Sequence, residues 1–255
     1  MKLVLTLLVL GTLATQPPPP MSCTADWPHT TAALEQAVLN DDATTLKGIR
    51  AACLQSIAAG LSADRVPLTK YAVAYADWRM STNPLVPARE QNDLLDEADT
   101  QLQDALTLNA RFAEADGLLA GVLGIKIAKS PMRGMVLGRR SSQLIDRAIA
   151  LEPENPRILM QQGVAKFNTP AMFGGSTKQA ETLLRRALAL FEHEPADRPW
   201  PNWGRFDAHV WLGQALVKRG DLGGARAEYD RAAALAPRSG WLRFVLVPQL
   251  EKAGK

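Results

Sequence analysis

Cysteine and histidine are scarce in this chain, with 2 Cys and 3 His in 255 residues. That is too few for a Cys/His zinc framework, so no metal or cofactor is expected. Charge of one sign is also missing. The 29 basic and 26 acidic side chains leave a formal +3, a balance that gives no footprint for nucleic acid or for an anionic membrane. Beyond the first residues no stretch approaches 18 apolar residues without a charge, so no transmembrane segment is expected after the leader. Sustained two-residue alternation of Val, Ile or Thr is absent, which argues against strands. The signatures of catalysis are missing too: no GxSxG, no GxGxxG behind a strand, no P-loop, no HExxH and no EF-hand loop. His29, His193 and His209 stand alone along the chain, and Glu152 and Glu154 flank Pro153 in a turn, a poor place for a rigid acid/base pair. No catalytic residue is proposed. What remains is an ordinary soluble composition, 47% hydrophobic and 22% charged.

The N-terminus reads as an export signal. Lys2 supplies a minimal positive region, Leu3 to Leu13 is nearly all apolar, and Thr12 and Ala14 provide small residues at signal-peptidase spacing. The expected signal peptide is 1–14, followed by a proline-rich spacer to about residue 22, giving a periplasmic or secreted protein. A cytoplasmic chain started at Met21 is the alternative. Gln16 to Pro20 forms a stiff extended spacer. A lipid anchor on Cys23 is a further alternative, although the prolines separate it from the apolar run. Cys23 and Cys53 are the only cysteines. In an exported chain an even count favours a disulfide between them. The alternative is a buried Cys53 thiol and a free Cys23.

The remainder is rich in Ala, Leu, Gln, Glu and Arg, with apolar positions at three- and four-residue steps, the pattern of amphipathic helices. The clearest unit lies near the C-terminus. Gly213 is followed by Ala225 after twelve residues, then Tyr229, Ala232 and Pro237. Gly213 and Ala225 are small enough for two helices of a hairpin to approach closely. Tyr229 and Ala232 share a face of the second helix, and Pro237 ends it. Gly220 and Asp221 supply the turn and the next cap. The second-helix pattern recurs as Ser141, Ile145, Ala148 and Pro153, as Ala180, Leu184 and Ala187, and as Ala98, Leu102 and Ala105. Its third small residue falls at 105, 148, 187 and 232, in steps of 43, 39 and 45 against about 34 for a regular repeat. The additional residues are expected mostly between or before helices.

Residues 206 to 239 resemble the tetratricopeptide repeat, with His209 where that family usually carries Trp and with Trp211 two residues later. A HEAT-like array is the alternative, since it has the longer period. The resemblance implies an all-α superhelical array of helical hairpins. Its expected parts are an N-terminal hairpin over 23–60, repeats over 64–239 (about 64–110, 111–155, 156–193 and 206–239), and a capping helix over 240–255 that Pro248 kinks or divides. An elongated stack is expected rather than one compact core.

In that family the first helices line a concave groove that takes a peptide or a partner helix. The resemblance therefore implies a groove formed by Lys126, Arg157, Met160, Phe167, Asn168, Gln214 and Lys218, with Leu118, Val122, Asp207 and Val210 beside them. Apolar side chains with three cations would suit a peptide with a carboxylate end and apolar residues. The function implied is an exported scaffold for a protein or peptide partner. The alternative is a small-molecule or lipid-binding exported relative associated with a transporter. In the segment 167–176, Pro170 stops a helix and Ser176 with Gln179 forms a capping box. Phe167, Met172 and Phe173 are expected to tuck this loop onto its hairpin, or else to fold it over one mouth of the groove. The proline- and tryptophan-rich stretch 194–205 is expected to pack over a neighbouring hairpin. Asp93, Asp96, Glu97, Asp99 and Asp104 are expected to form a solvated convex face.

Overall fold

The computed structural model describes Cys23, residues 27–195 and residues 197–254. The signal peptide, the proline spacer and the Met21 alternative lie outside the described residues. Within them the chain is helical, without a strand. The helices are α1 Trp27–Leu39, α2 Ala43–Ala58, α3 Val66–Ser81, α4 Ala88–Leu108, α5 Ala113–Lys129, α6 Gly134–Leu151, α7 Pro156–Asn168, α8 Thr177–Glu192, α9 Arg205–Lys218, α10 Leu222–Leu235 and α11 Val247–Ala253. Each packs chiefly on its neighbour in sequence, so α3 with α4, α5 with α6, α7 with α8 and α9 with α10 form antiparallel hairpins. First helices of adjacent hairpins also touch, α5 on α7 and α7 on α9.

Small residues set the spacing inside each hairpin. Ala98 and Ala105 of α4, Ala148 of α6, Ala180 and Ala187 of α8, and Ala225 and Ala232 of α10 are all fully buried. A Cβ on Gly213 would stand 2.3 Å from the Tyr229 ring, and one on Gly163 would stand 2.9 Å from Leu184. Glycine in the first helix therefore makes room for the large residue of the second. Helix starts follow local capping: Asp42, Ser176 and Asp221 accept backbone N–H groups of Thr45, Gln179 and Gly224.

The extra residues of the second repeat do not form a loop. They lengthen its helices: α5 runs on to Lys129 and α6 already begins at Gly134, leaving one 3-10 turn, Pro131–Arg133, between them. The C-terminal cap divides ahead of Pro248. A π-helical stretch, Leu242–Leu246, leads into α11, and the N–H of Val247 reaches Leu242 O, five residues back. Widening the turn moves a carbonyl that the proline ring would otherwise strike. Leu242, Leu246 and Leu250 are buried against the last hairpin.

The array is not an open stack. Gly240 N–H donates to Asp41 Oδ2 at 2.7 Å, and Asn83 Nδ2–H donates to Asp41 O. The turn of the first hairpin thus meets the start of the C-terminal cap. One apolar cluster runs from Leu34 to Leu250, so the expected elongated arrangement gives way to a curled one with a shared core. Cys23 is joined to Cys53 of α2, with Cα atoms 5.0 Å apart and both residues buried. No helix among the described residues is long and apolar enough to cross a membrane.

Candidate ligand-binding face

The concave side is built by first helices. On α3, Tyr71, Tyr75, Trp78 and Arg79 fall at four- and three-residue steps and form one stripe. Opposite them lies the connection between α8 and α9. Trp200 and Trp203 are buried there, and the Trp200 ring sits edge-on to Trp27, Tyr71 and Tyr75, with centroids 5.8, 5.2 and 6.1 Å away. Trp203 tilts onto Tyr75 and Trp78 at 4.9 and 5.6 Å. Both indole N–H groups are used. Trp203 Nε1 donates to Tyr71 Oη at 2.9 Å and Trp200 Nε1 donates to Glu35 Oε1 at 3.1 Å.

Ion pairs hold the same segment. Arg157 donates through both Nη atoms to Glu194, at 2.6 and 2.8 Å, and its guanidinium lies over the Phe191 ring. Arg198 donates to Glu114 Oε1 at 3.0 Å. Just beyond, Arg79 pairs bidentately with Asp207 of α9 while stacked on Trp78, 4.4 Å from its centroid. Removal from water pushes the Glu35 carboxyl up to about 7, against the opposing pull of the Trp200 hydrogen bond and Arg79. The Tyr71 and Tyr75 hydroxyls are also driven well up by burial. Burial works against the Arg79 charge, but Asp207 outweighs it and holds the guanidinium above its ordinary value. The interior of the curl is thus an aromatic and ionic box whose lid is the chain's own 197–204 stretch, with Glu194 beside it.

This placement sorts the sequence-expected groove residues. Arg157 and Met160 are each 1% exposed and lie beneath that stretch, so the Arg157 charge is spent on Glu194 rather than offered to a ligand. Asp207 is likewise committed to Arg79. Lys126 is mostly buried between Asp96 and Asp99, at 2.7 and 2.8 Å. Asn168 is exposed and donates to its own helix at Val164 O. Phe167, Gln214 and Lys218 do come together. They line an open pocket of about 210 Å³ with Val217, Tyr229, Leu246, Gln249 and Leu250. Lys218 Nζ lies 4.9 Å from the centre of the Phe167 ring, which stacks edge-on to Trp211. Gln214 Nε2 is buried and has no hydrogen-bond partner among the described residues.

One expectation about surfaces is corrected. Met172 and Phe173 do not tuck onto their hairpin; they are 82% and 69% exposed. Of the α4 carboxylates, Asp93, Asp96, Glu97 and Asp104 are solvent-exposed and Asp99 is buried. Asp96 and Asp99 clamp Lys126, Glu97 reaches Arg50 at 3.0 Å, and Asp104 reaches Lys70 at 2.9 Å, so they tie α4 to neighbouring helices. His209 is buried, with Nδ1 2.7 Å from Glu228 Oε2 of α10. Burial raises the Glu228 carboxyl, but the contact with His209 wins and holds it below its usual range. A second hollow, of about 360 Å³ between α2, α3 and α4, has charged walls already paired as Lys47–Glu90 and Arg50–Glu97. Among the described residues no group of His, Cys, Asp or Glu could hold a metal ion.

Sequence reasoning singled out the tryptophans of the 194–205 stretch as packing residues but missed the α3 stripe on which Trp200 and Trp203 sit. The signal was present as aromatic residues on one face of a first helix and as paired tryptophans in a proline-rich stretch.

No family model and no curated protein matches the sequence. Among solved structures, the HusA haemophore from Porphyromonas gingivalis superposes with a TM-score of 0.62 at 22% identity, covering 77% of this chain and 95% of the haemophore. TTC0263, a thermophilic tetratricopeptide repeat protein from Thermus thermophilus, gives 0.58 at 16% identity, covering 88% of this chain and 98% of that one. Neither is described as an enzyme. At such identities the likeness establishes architecture: this chain has the all-α, tetratricopeptide-like fold of stacked helical hairpins closed by a C-terminal helix.

Proposed function

We propose that the chain is an exported scaffold that binds a protein or peptide partner, and that its recognition site is the pocket of Phe167, Gln214 and Lys218. The observation carrying this reading is the convergence of those residues around Gln214, whose Nε2 has no partner among the described residues. The apolar wall of Phe167, Leu246 and Leu250 accepts an aliphatic or aromatic side chain. Lys218 and Gln214 supply donors for a carboxylate or a backbone carbonyl beside it. The central concave face, which such folds commonly offer, already has an occupant in 197–204, so the partner is directed to the C-terminal end of the array. The test is a display library of peptides with free C-termini, screened against the protein and against Gln214→Leu plus Lys218→Ala. Enrichment that depends on both side chains is expected. No enrichment, or enrichment the double variant leaves unchanged, refutes the assignment.

A second reading is supported by the aromatic box and by the likeness to a haemophore: a small apolar ligand takes the place of Trp200 and Trp203. Absorbance titration with haem, and melting against metabolite and lipid panels, distinguish it. A saturable rise in melting temperature without peptide binding favours the small ligand. The export part of the proposal rests on the Leu3–Leu13 run and on the Cys23–Cys53 bridge, which belongs to an oxidising compartment. A native mass that retains Met1, or that begins at Met21 with two alkylatable thiols, overturns it.

A further inference from the structure

The turns within two adjacent hairpins expose apolar side chains that are not covered by the described residues. At the α5–α6 tip, Met132, Met135 and Val136 are 97%, 88% and 75% exposed. The α7–α8 tip adds Met172 and Phe173. Since α5 packs on α6 and α7 on α8, with α5 alongside α7, both tips lie at the same end of neighbouring hairpins. Isolated apolar residues on a surface are ordinary, but a group of long ones on successive tips calls for a partner.

Charge at this end indicates which partner. From residue 117 to 145 there is no Asp or Glu, and the same holds from 155 to 180. Whole-chain near-neutrality conceals this segregation, because the acids cluster on α4 and elsewhere. Arg133, Arg139 and Lys178 are exposed at the tips, and no carboxylate of the described residues pairs with them. Lys129 donates to the neutral Gln91 Oε1 and Lys166 to Gly174 O, so both keep their charge. Apolar side chains at the crest with uncompensated cations behind them match the layered chemistry of an anionic bilayer, acyl chains below phosphate.

We propose that the α5–α6 and α7–α8 tips dock this protein peripherally on an anionic phospholipid surface, Met132, Met135 and Phe173 entering the acyl boundary while Arg133, Arg139 and Lys178 meet headgroup phosphates. An acidic protein surface would also satisfy the cations, and the vesicle experiment below is chosen to separate it from a bilayer.

The experiment is co-sedimentation of the full chain with 100 nm vesicles of POPC and POPG at about 3:1, and of POPC alone, at fixed ionic strength. Because Leu3–Leu13 is itself apolar, the decisive comparison is between variants that share that segment. Arg133→Ala plus Arg139→Ala is expected to weaken binding to the anionic vesicles about fivefold per cation removed. Met132→Ser, Met135→Ser and Phe173→Ser together are expected to remove the tip-dependent binding, with helical circular dichroism and melting unchanged because these side chains are exposed. Met135→Leu plus Phe173→Leu keeps the apolar crest and is expected to retain binding. Equal binding to neutral vesicles overturns the proposal. So does indifference to the charge or serine variants, or failure to bind vesicles while an acidic protein is captured.

Discussion

Trp203→Ala tests whether the 197–204 stretch is part of the core or a strap laid over it. Trp203 is 3% exposed, so truncation removes a large apolar surface and leaves a cavity, an effect of about 3–5 kcal/mol. It also strands the Tyr71 hydroxyl, which is fully buried and accepts the indole N–H at 2.9 Å, at a further cost of about 1–3 kcal/mol if water cannot enter. Relaxation around the cavity offsets part of the sum, so a net loss of about 4–5 kcal/mol is expected. For a chain of this length that lowers the melting temperature by about 8–20 °C. Trp203→Phe retains a ring against Tyr75 and Trp78 but loses the donor, and should cost about 1–3 kcal/mol. Urea unfolding followed by far-ultraviolet circular dichroism, with a thermal melt alongside, measures both. A loss below about 1 kcal/mol for Trp203→Ala, the range of surface substitutions, would refute the reasoning: the stretch would then be a detachable cover and the aromatic box an available cavity.

Other perturbations probe separate parts of the molecule. Asp207→Ala leaves the Arg79 guanidinium unpaired in the interior and should cost about 3–5 kcal/mol in the same urea assay, whereas a loss near zero would mean that the pair is effectively solvated. Gly213→Ala drives a methyl group into the Tyr229 ring and should destabilise by about 1–3 kcal/mol; an unchanged midpoint would mean that the last hairpin can open without strain. Reduction of Cys23–Cys53, or Cys53→Ser, frees a loop spanning 30 residues and should cost about 3–4 kcal/mol, seen as a lower midpoint in reductant. Glu35 and Asp77 both sit in the folded chain with carboxyls raised by burial to about 7. Folded pKa values above the unfolded ones mean stability that is complete below about pH 4 and lost as pH rises through 7. The urea midpoint should therefore fall between pH 5 and pH 8, with a shallower fall in Glu35→Gln, and a flat midpoint in the parent chain refutes the shifts.

The parts of the fold that depend on contacts within one hairpin were legible in the sequence. Ala225, Tyr229 and Ala232 announce the second helix because close helix packing restricts those positions to particular sizes, and Gly213 can be recognised as the surface that receives the ring. Capping at Asp42, Ser176 and Asp221 follows from local chain chemistry. Contacts between distant hairpins were not legible. Arg157 lies buried and paired with Glu194, and nothing in its sequence neighbourhood identifies that carboxylate as its cover. The Arg79–Asp207 pair spans 128 positions and exists only because small rotations between successive hairpins accumulate into a curl. That rotation depends on how interfaces pack, and the apolar spacing of a single sequence leaves it open. For the same reason Phe167, Gln214 and Lys218 met in one pocket, while Lys126 was absorbed by α4.

The bond from Gly240 to Asp41 joins residues 199 positions apart. In a linear repeat protein each unit answers only to its neighbours, so hairpins can be added or removed and the ends fray independently. Here the ends answer to each other. Inserting one more hairpin would carry Gly240 away from Asp41 and Asp207 away from Arg79, and deleting one would do the same in the opposite sense. The number of hairpins is therefore fixed by geometry. Closure over such separations also requires distant parts of the chain to find one another before the last contacts form, so folding should be slower and more nearly all-or-none than in an open array of equal helix content.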